Sequence, residues 1–432
     1  MRIDLDTAFL DDGIRSTNFF NGRLLSAEDL TQEQTARDAA LQRMGRALGE
    51  GVAYGLEVTP SQDNTVSTPL VTVRPGLAVN REGQTLKLLQ PVEVALLPMA
   101  PGGISAAPTA EGRFKACSPP GSVYVSGTGV YLLVLSPAAG REGRAVVSGL
   151  GGVQSGCDAK LRVEGVLFRL LKLDVSNSDL LDEKKLRNRV AHQCFGTTTR
   201  AQMLLDWPFR EPEAGYGLID KLRPGFLTPC DVPLAVLHWK DGEGIRFVDL
   251  WSARRPLARV AHPVPWLGGQ GERRTIEAQA LFLQFQEHIE KLRLEPSLPG
   301  IPAKDHFDWL PPVGVLPLGG FAGTHGLDYL KFFEGLTTRP PVNIEGARLG
   351  PLLRAALDYP PVSTGTGELL WLYWVRENQQ AVVDSPATSR PQPYLVFASG
   401  HIPYWGDARF SVAKWRFANF SSGGPNADQP GP

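Results

Sequence analysis

Val232-Pro-Leu-Ala-Val-Leu-His-Trp239, Lys240-Asp-Gly-Glu-Gly244 and Ile245-Arg-Phe-Val-Asp-Leu-Trp251 read in succession as strand, turn and strand. Two apolar runs of strand length flank a short segment carrying Gly242 and Gly244, where a backbone without Cβ can take the positive φ that tight turns need. This is the clearest hairpin in the chain, and it predicts an antiparallel sheet. Upstream, Tyr131 to Leu135 is a continuous apolar run, as expected of a strand covered on both faces, and Leu161 to Leu173 supplies another long strand candidate. Together these segments set a central β domain over 130–266, with brief helices at Asp182 to Arg189 and Thr198 to Leu205.

Toward the N-terminus, Ser26-Ala-Glu-Asp29 has the form of a capping box, the Ser26 hydroxyl accepting from the Asp29 N–H and the Asp29 carboxylate reaching back. Leu30, Gln34, Arg37, Leu41, Met44 and Leu48 follow at alternating spacings of four and three. They form one stripe of a helix that ends near Gly49 or Gly51. That stripe is either the partly covered face of a surface helix or a self-association seam in which Gln34 and Arg37 set the register. Val52, Tyr54, Leu56 and Val58 alternate with smaller or polar residues, and Leu70 to Val73, Gln84 to Leu89 and Val92 to Leu96 read as further strands, with Asn80 to Gly83 as a hairpin loop. An antiparallel meander is expected, giving a docking domain over 1–100. Residues 101–129 read as a linker or long loop. From Arg273 to Leu294 the period turns helical, with Phe282, Phe285, Ile289 and Leu292 on one face, and strands return at Leu369 to Val375, Tyr394 to Ala398 and Arg409 to Phe417. This gives a helix-plus-β domain over 267–420 and a disordered tail over 421–432. The expected fold class is α+β, mainly β: antiparallel sheets in β-sandwich-like units, a capped N-terminal helix and one central amphipathic helix.

Composition narrows the function. The 432 residues carry 44 Lys plus Arg against 45 Asp plus Glu, so there is no basic surplus to neutralise phosphates, and nucleic acid is not an expected partner. Gly (46) and Pro (36) together make about a fifth of the chain, above average usage, which fits short strands and tight turns. Met1 to Asp12 shows no secretory pattern, and the most apolar stretch, Leu369 to Val375, is far too short to span a bilayer. A cytoplasmic protein without direct membrane insertion is expected, with Cys117, Cys157, Cys194 and Cys230 as free thiols.

Common catalytic signatures are missing. There is no phosphate-binding loop, zinc-protease helix or nucleophile elbow, and Gly149-Leu-Gly151-Gly-Val-Gln154 lacks the third glycine of a dinucleotide fingerprint. No cofactor is expected. His192, Cys194, Cys230 and His238 could supply soft metal ligands, which defines a metal-dependent hydrolase as an alternative, although His192 and Cys194 are more simply read as satisfied residues in or near a strand. Asp305-His306-Phe307-Asp308 places two carboxylates around an imidazole; a polar turn is the simpler reading. Asn419-Phe-Ser421 has the glycosylation pattern but is discounted for a cytosolic chain. The aromatic-rich last third, with Tyr404 and Trp405 in a turn-like Tyr404-Trp-Gly-Asp407, defines a second alternative, a tail-tip receptor-binding or glycan-binding protein.

Phe19-Phe-Asn-Gly-Arg-Leu-Leu-Ser-Ala-Glu-Asp-Leu30, Glu33-Gln34 and Gly51-Val-Ala-Tyr-Gly-Leu-Glu-Val58 resemble proteins encoded with phage-tail-like contractile injection systems. Phe307-Asp-Trp-Leu-Pro-Pro-Val-Gly-Val-Leu-Pro317, Phe332-Phe333 and Leu370 to Val375 are similar to the same group. The order of strand, capped helix with glutamine, strand, then Val71 to Ala78 is distantly similar to the start of the type VI secretion baseplate protein TssK, although Gly22 to Asp29 departs from that pattern at most positions. That resemblance implies a trimeric baseplate adaptor with a β-sandwich shell domain and no catalytic residues. The expectation is a structural, non-catalytic component, baseplate or peripheral adaptor, of a contractile injection particle. Its partners would be itself and other tail or baseplate proteins.

Overall fold

In the computed structural model of the chain, the described residues are 14–98, 124–143, 145–146, 157–158, 160–198, 217–223, 225–257, 272–294, 300–319, 325–357 and 359–400. The linker residues 101–123, the helix expected over Thr198 to Leu205 beyond its first residue, the strand Arg409 to Phe417, Tyr404, Trp405 and the tail 421–432 lie outside them. The architecture is α+β, mainly β, with antiparallel sheets and about as much helix as strand.

A four-stranded antiparallel sheet lies at the centre, in the order Leu161–Lys172, Gly129–Glu142, Val232–Lys240, Gly244–Asp249. The apolar run in the Gly129–Glu142 strand is buried on both faces, and its alternation sorts the two sides. Tyr131, Leu133 and Leu135 point into a cluster with Val52, Leu56, Val71 and Leu86 from the N-terminal strands. Val130, Leu132 and Val134 point the other way, against Leu186, Val190 and Ile219 from the covering helices Glu183–Phe195 and Leu218–Lys221. The hairpin expected at 232–251 is present, with a register shift between His238 and Trp239.

The N-terminal strands do not form a single meander. They divide between two three-stranded antiparallel sheets, Gly51–Gly55 with Gly76–Val79 and Thr85–Leu88, and Val58–Pro60 with Leu70–Val73 and Val92–Ala95. The chain changes sheet at Gly55 and Leu56, both at positive φ (66° and 60°), and returns at Arg74 and Pro75. The two crossings are bonded to each other, Leu56 N–H donating to the Pro75 carbonyl (3.2 Å) and Arg74 N–H to the Glu57 carbonyl (2.9 Å). A left-handed leucine costs roughly 1–3 kcal/mol; complete burial of the Leu56 side chain offsets that strain. Alternation in the sequence shows each strand but not a change of sheet at a non-glycine residue.

The C-terminal sheet runs Val313–Pro317, Tyr394–Ser399, Leu369–Val375, Thr337–Thr338, with Val342–Ile344 also paired to Leu369–Val375. Its two main pairings are antiparallel; the two short edge strands pair in parallel. Leu370, Leu372, Leu395 and Phe397 face Phe285, Ile289 and Leu292 of the long helix Glu272–Arg293, while Trp371, Tyr373, Val396 and Ala398 face Leu352 and Ala356 of the helix Gly346–Ala356. The expected aromatic stripe is therefore core, with Phe282 partly buried on the second side. Gly314 has no room for a Cβ, which would lie 2.4 Å from the Phe397 ring.

Candidate functional site

The capping box forms as expected. Asp29 N–H donates to Ser26 Oγ (3.2 Å) and Ser26 N–H to Asp29 Oδ2 (3.0 Å), and the helix runs Ala27–Leu48 to a C-cap at Gly49. Of its 22 residues only Ala36 and Gly45 are buried. Gly45 packs directly on Gly83 of the hairpin loop: a Cβ at Gly45 would lie 2.1 Å from the Gly83 carbonyl oxygen, and a Cβ at Gly83 2.0 Å from that of Gln42. Ion pairs Arg46–Glu82 (2.6 Å) and Arg81–Glu50 flank this contact, which fixes the C-terminal end of the helix to the body. At the other end, Thr17 ties the preceding segment to the first turns, donating from Oγ1 to the Asp29 carbonyl (2.8 Å) and from N–H to Glu33 Oε2 (3.2 Å).

This anchoring leaves the predicted stripe uncovered. Leu30, Gln34, Arg37, Leu41, Met44 and Leu48 are all exposed, Leu41 by 56% and Met44 by 65%. Phe19, Phe20, Leu24 and Leu25, just before the helix, are exposed as well, Leu24 by 93%. Sequence periodicity did not single out this second group, because adjacent pairs of apolar residues carry no helical or strand period. Scattered exposed leucines are ordinary; these are aligned along some 30 Å of one helix.

The residues suggested for chemistry are distributed over structural roles. His192 and Cys194 lie on the helix Glu183–Phe195, which extends past the expected Arg189, not in or near a strand. The His192 ring nitrogen Nδ1 pairs with the Thr197 hydroxyl (2.9 Å), the ring stacks on Trp309 at 6.0 Å, and burial pushes its pKa down to about 3. Cys194 is a free, buried thiol pushed up to about 12. Cys230 is disulfide-bonded, which corrects the expectation of four free thiols; the Cys117 and Cys157 side chains lie outside the described residues. His238 lies in the central sheet against Phe247 (5.4 Å), its pKa lowered to about 4 by burial. Among the described residues no group of three or more His, Cys, Asp or Glu is placed to hold a metal ion.

The segment Asp305 to Asp308 is not a simple turn: Ala303–His306 is a short helix, and Asp308 sits in a junction with the helix Glu183–Phe195. The Asp308 carboxylate accepts from Lys185 Nζ (2.9 Å) and Arg189 Nε (2.5 Å), while Asn188 accepts from the Asp308 and Trp309 N–H groups (2.9 and 3.1 Å) and donates to the Trp309 carbonyl (3.0 Å). The neighbouring Asp305 is exposed and His306 is buried. A second junction joins the central sheet to the long helix. Asp249 accepts from Arg187 Nε (2.8 Å), Gln284 Nε2 (3.0 Å) and both the N–H and Oγ of Ser252, and Arg187 also reaches Glu287 (3.0 Å). Burial alone would raise the Asp249 pKa, but the Arg187 charge and these hydrogen bonds outweigh it and hold it at about 2. Sequence reasoning missed this junction, since its members come from three separated segments without a motif.

No helix among the described residues is long and apolar enough to cross a membrane. No protein-family model matches the sequence, and no curated protein matches it.

Proposed function

We propose that the chain is a structural, non-catalytic component, baseplate or peripheral adaptor, of a contractile phage-tail-like injection particle, and that it joins its assembly through the N-terminal helix. The uncovered stripe Leu30, Gln34, Arg37, Leu41, Met44 and Leu48, on a helix secured to the body through another face, supports this reading most directly. Leu30 and Gln34 of the stripe fall within the patches, Phe19 to Leu30 and Glu33-Gln34, that resemble injection-system proteins. A second copy of the chain is the partner the stripe fits best. Spacings that alternate four and three are those by which equivalent helices interlock, and the stripe reads the same from either end, so Leu30 can meet Leu48, Gln34 Met44 and Arg37 Leu41 of an antiparallel copy. Gln34 and Arg37 would then set the register against the apolar ends.

Leu41→Asp tests the stripe. Because Leu41 is exposed, the variant should stay soluble and folded, and sedimentation should show a lower oligomeric order than the unaltered chain. An insoluble product, or an unchanged order, would refute the assignment. Placement in a particle is tested by density-gradient sedimentation of a gentle lysate of the native organism. Co-migration with megadalton particles containing sheath and tube proteins is expected, and recovery only near the monomer while those particles remain intact would overturn it.

A further inference from the structure

A cavity of about 140 Å³ opens between the central sheet, the short helix Leu218–Lys221 and the start of the long helix Glu272–Arg293. Ile219, Val232, Ala253 and Ile276 supply an apolar wall, and Arg81, Arg223 and Arg255 supply cationic groups. Two of the three arginines are engaged. Arg81 pairs with Glu50, and Arg255 donates to the carbonyls of Trp251, Ser252 and Arg254 while its head lies over the Phe195 ring at 4.8 Å. Arg223 differs. Among the described residues its head makes no hydrogen bond or ion pair; the side chain is partly exposed, and its Nε is shut off from solvent without a partner. Burial and the nearby Arg81 charge lower its pKa, against the opposing charges of Glu50, Asp220 and Asp231.

The carboxylates of the lining do not complete it. Glu50 is held by Arg81, and Asp231 accepts from Ser136, Arg169 and Thr228; Asp220 and Glu277 also have partners. An Nε–H removed from water without an acceptor is costly, and the planar fork that carries it is shaped for a carboxylate. The same neighbouring carboxylates disfavour a dianion such as phosphate. An apolar cavity of roughly 150 Å³ accommodates benzene, which limits the guest to a few carbon atoms. We propose that this cavity is a binding site for a small aliphatic carboxylate, its anion on the Arg223 guanidinium and its short chain on the Ile219, Val232 and Ile276 wall. This holds whether or not the chain assembles into a particle.

Isovalerate and inorganic phosphate, each titrated into the full chain by calorimetry and followed by thermal unfolding, are the probes. Isovalerate should bind and raise the unfolding temperature, and phosphate should do so at least tenfold more weakly. Arg223→Met should fold with an unfolding temperature no lower than that of the unaltered chain, since it removes an unpaired cation, and should lose the isovalerate response. Arg223→Lys keeps the charge without the fork and should bind at least tenfold more weakly. Arg223→Met that fails to fold or melts earlier would mean that the head is already paired within the chain, and would overturn the site. So would an unaltered chain that ignores isovalerate, prefers phosphate, or responds no differently from Arg223→Met.

Discussion

Mild acid should weaken this fold at a pH where carboxylates are still ionised, and buried histidines are the cause. His192 and His238 are both nearly inaccessible, and burial lowers their pKa values from 6.5 to about 3 and about 4. His288 is buried too, and burial with the neighbouring Arg187 charge lowers its pKa in the same direction. Since each folded pKa lies below the unfolded one, the unfolded chain binds more protons throughout the window below 6.5, so stability falls as pH falls. At about 1.4 kcal/mol per pH unit for each fully titrating group, His192 and His238 together remove roughly 3 kcal/mol between pH 7.5 and pH 5.5, and His288 adds to it. That is a substantial part of a typical folding free energy of about 5–15 kcal/mol. Urea unfolding across this range, read by tryptophan fluorescence because Trp309 stacks on His192, should show a pH slope approaching two protons or more. His238→Leu should flatten the slope by about one proton, since it removes both the titrating ring and a buried Nε2 that has no hydrogen-bond partner. A slope below one proton in the unaltered chain, or an unchanged slope in His238→Leu, would refute the reasoning.

Asp249→Asn should cost about 1–3 kcal/mol, because it removes the charge that faces Arg187 Nε while Glu287 still pairs with the other side of the same head; chemical denaturation measures the loss, and limited proteolysis should find the long helix Glu272–Arg293 more readily cleaved. Gly83→Ala adds a Cβ 2.0 Å from the Gln42 carbonyl at a backbone position with φ +77°, so the C-terminal half of the N-terminal helix should shift and exchange its amide hydrogens faster, while the central sheet keeps its protection. Metal analysis of the pure protein should find no stoichiometric zinc, iron or manganese, because Cys230 is tied up in a disulfide and the His192 ring is engaged by Thr197.

Periodicity made the elements legible, and burial decided what they mean. The run Tyr131 to Leu135 could be assigned as a doubly covered strand and Leu369 to Val375 as a strand; in both, every second residue faces a different core, and an unbroken apolar run is what that geometry requires. The four-and-three spacing at Leu30 to Leu48 was equally plain, yet spacing alone is the same for a buried face and for a seam. The close contact of Gly45 with Gly83 and the exposure of the leucines rule out the buried face, and the seam stays a proposal that Leu41→Asp tests. The change of sheet at Leu56 left no trace in the sequence, since a leucine at positive φ is imposed by the surrounding core rather than by local preference. The Asp249 junction and the Arg223 cavity were hidden for a related reason. Each gathers residues from segments far apart in the chain, and charge in a sequence reads as solvated until folding shows which groups have lost their water. Arg223 is indistinguishable in sequence from an exposed arginine; the absence of any hydrogen bond to its head among the described residues is what gives it a chemical demand, and a carboxylate is the simplest group that meets it.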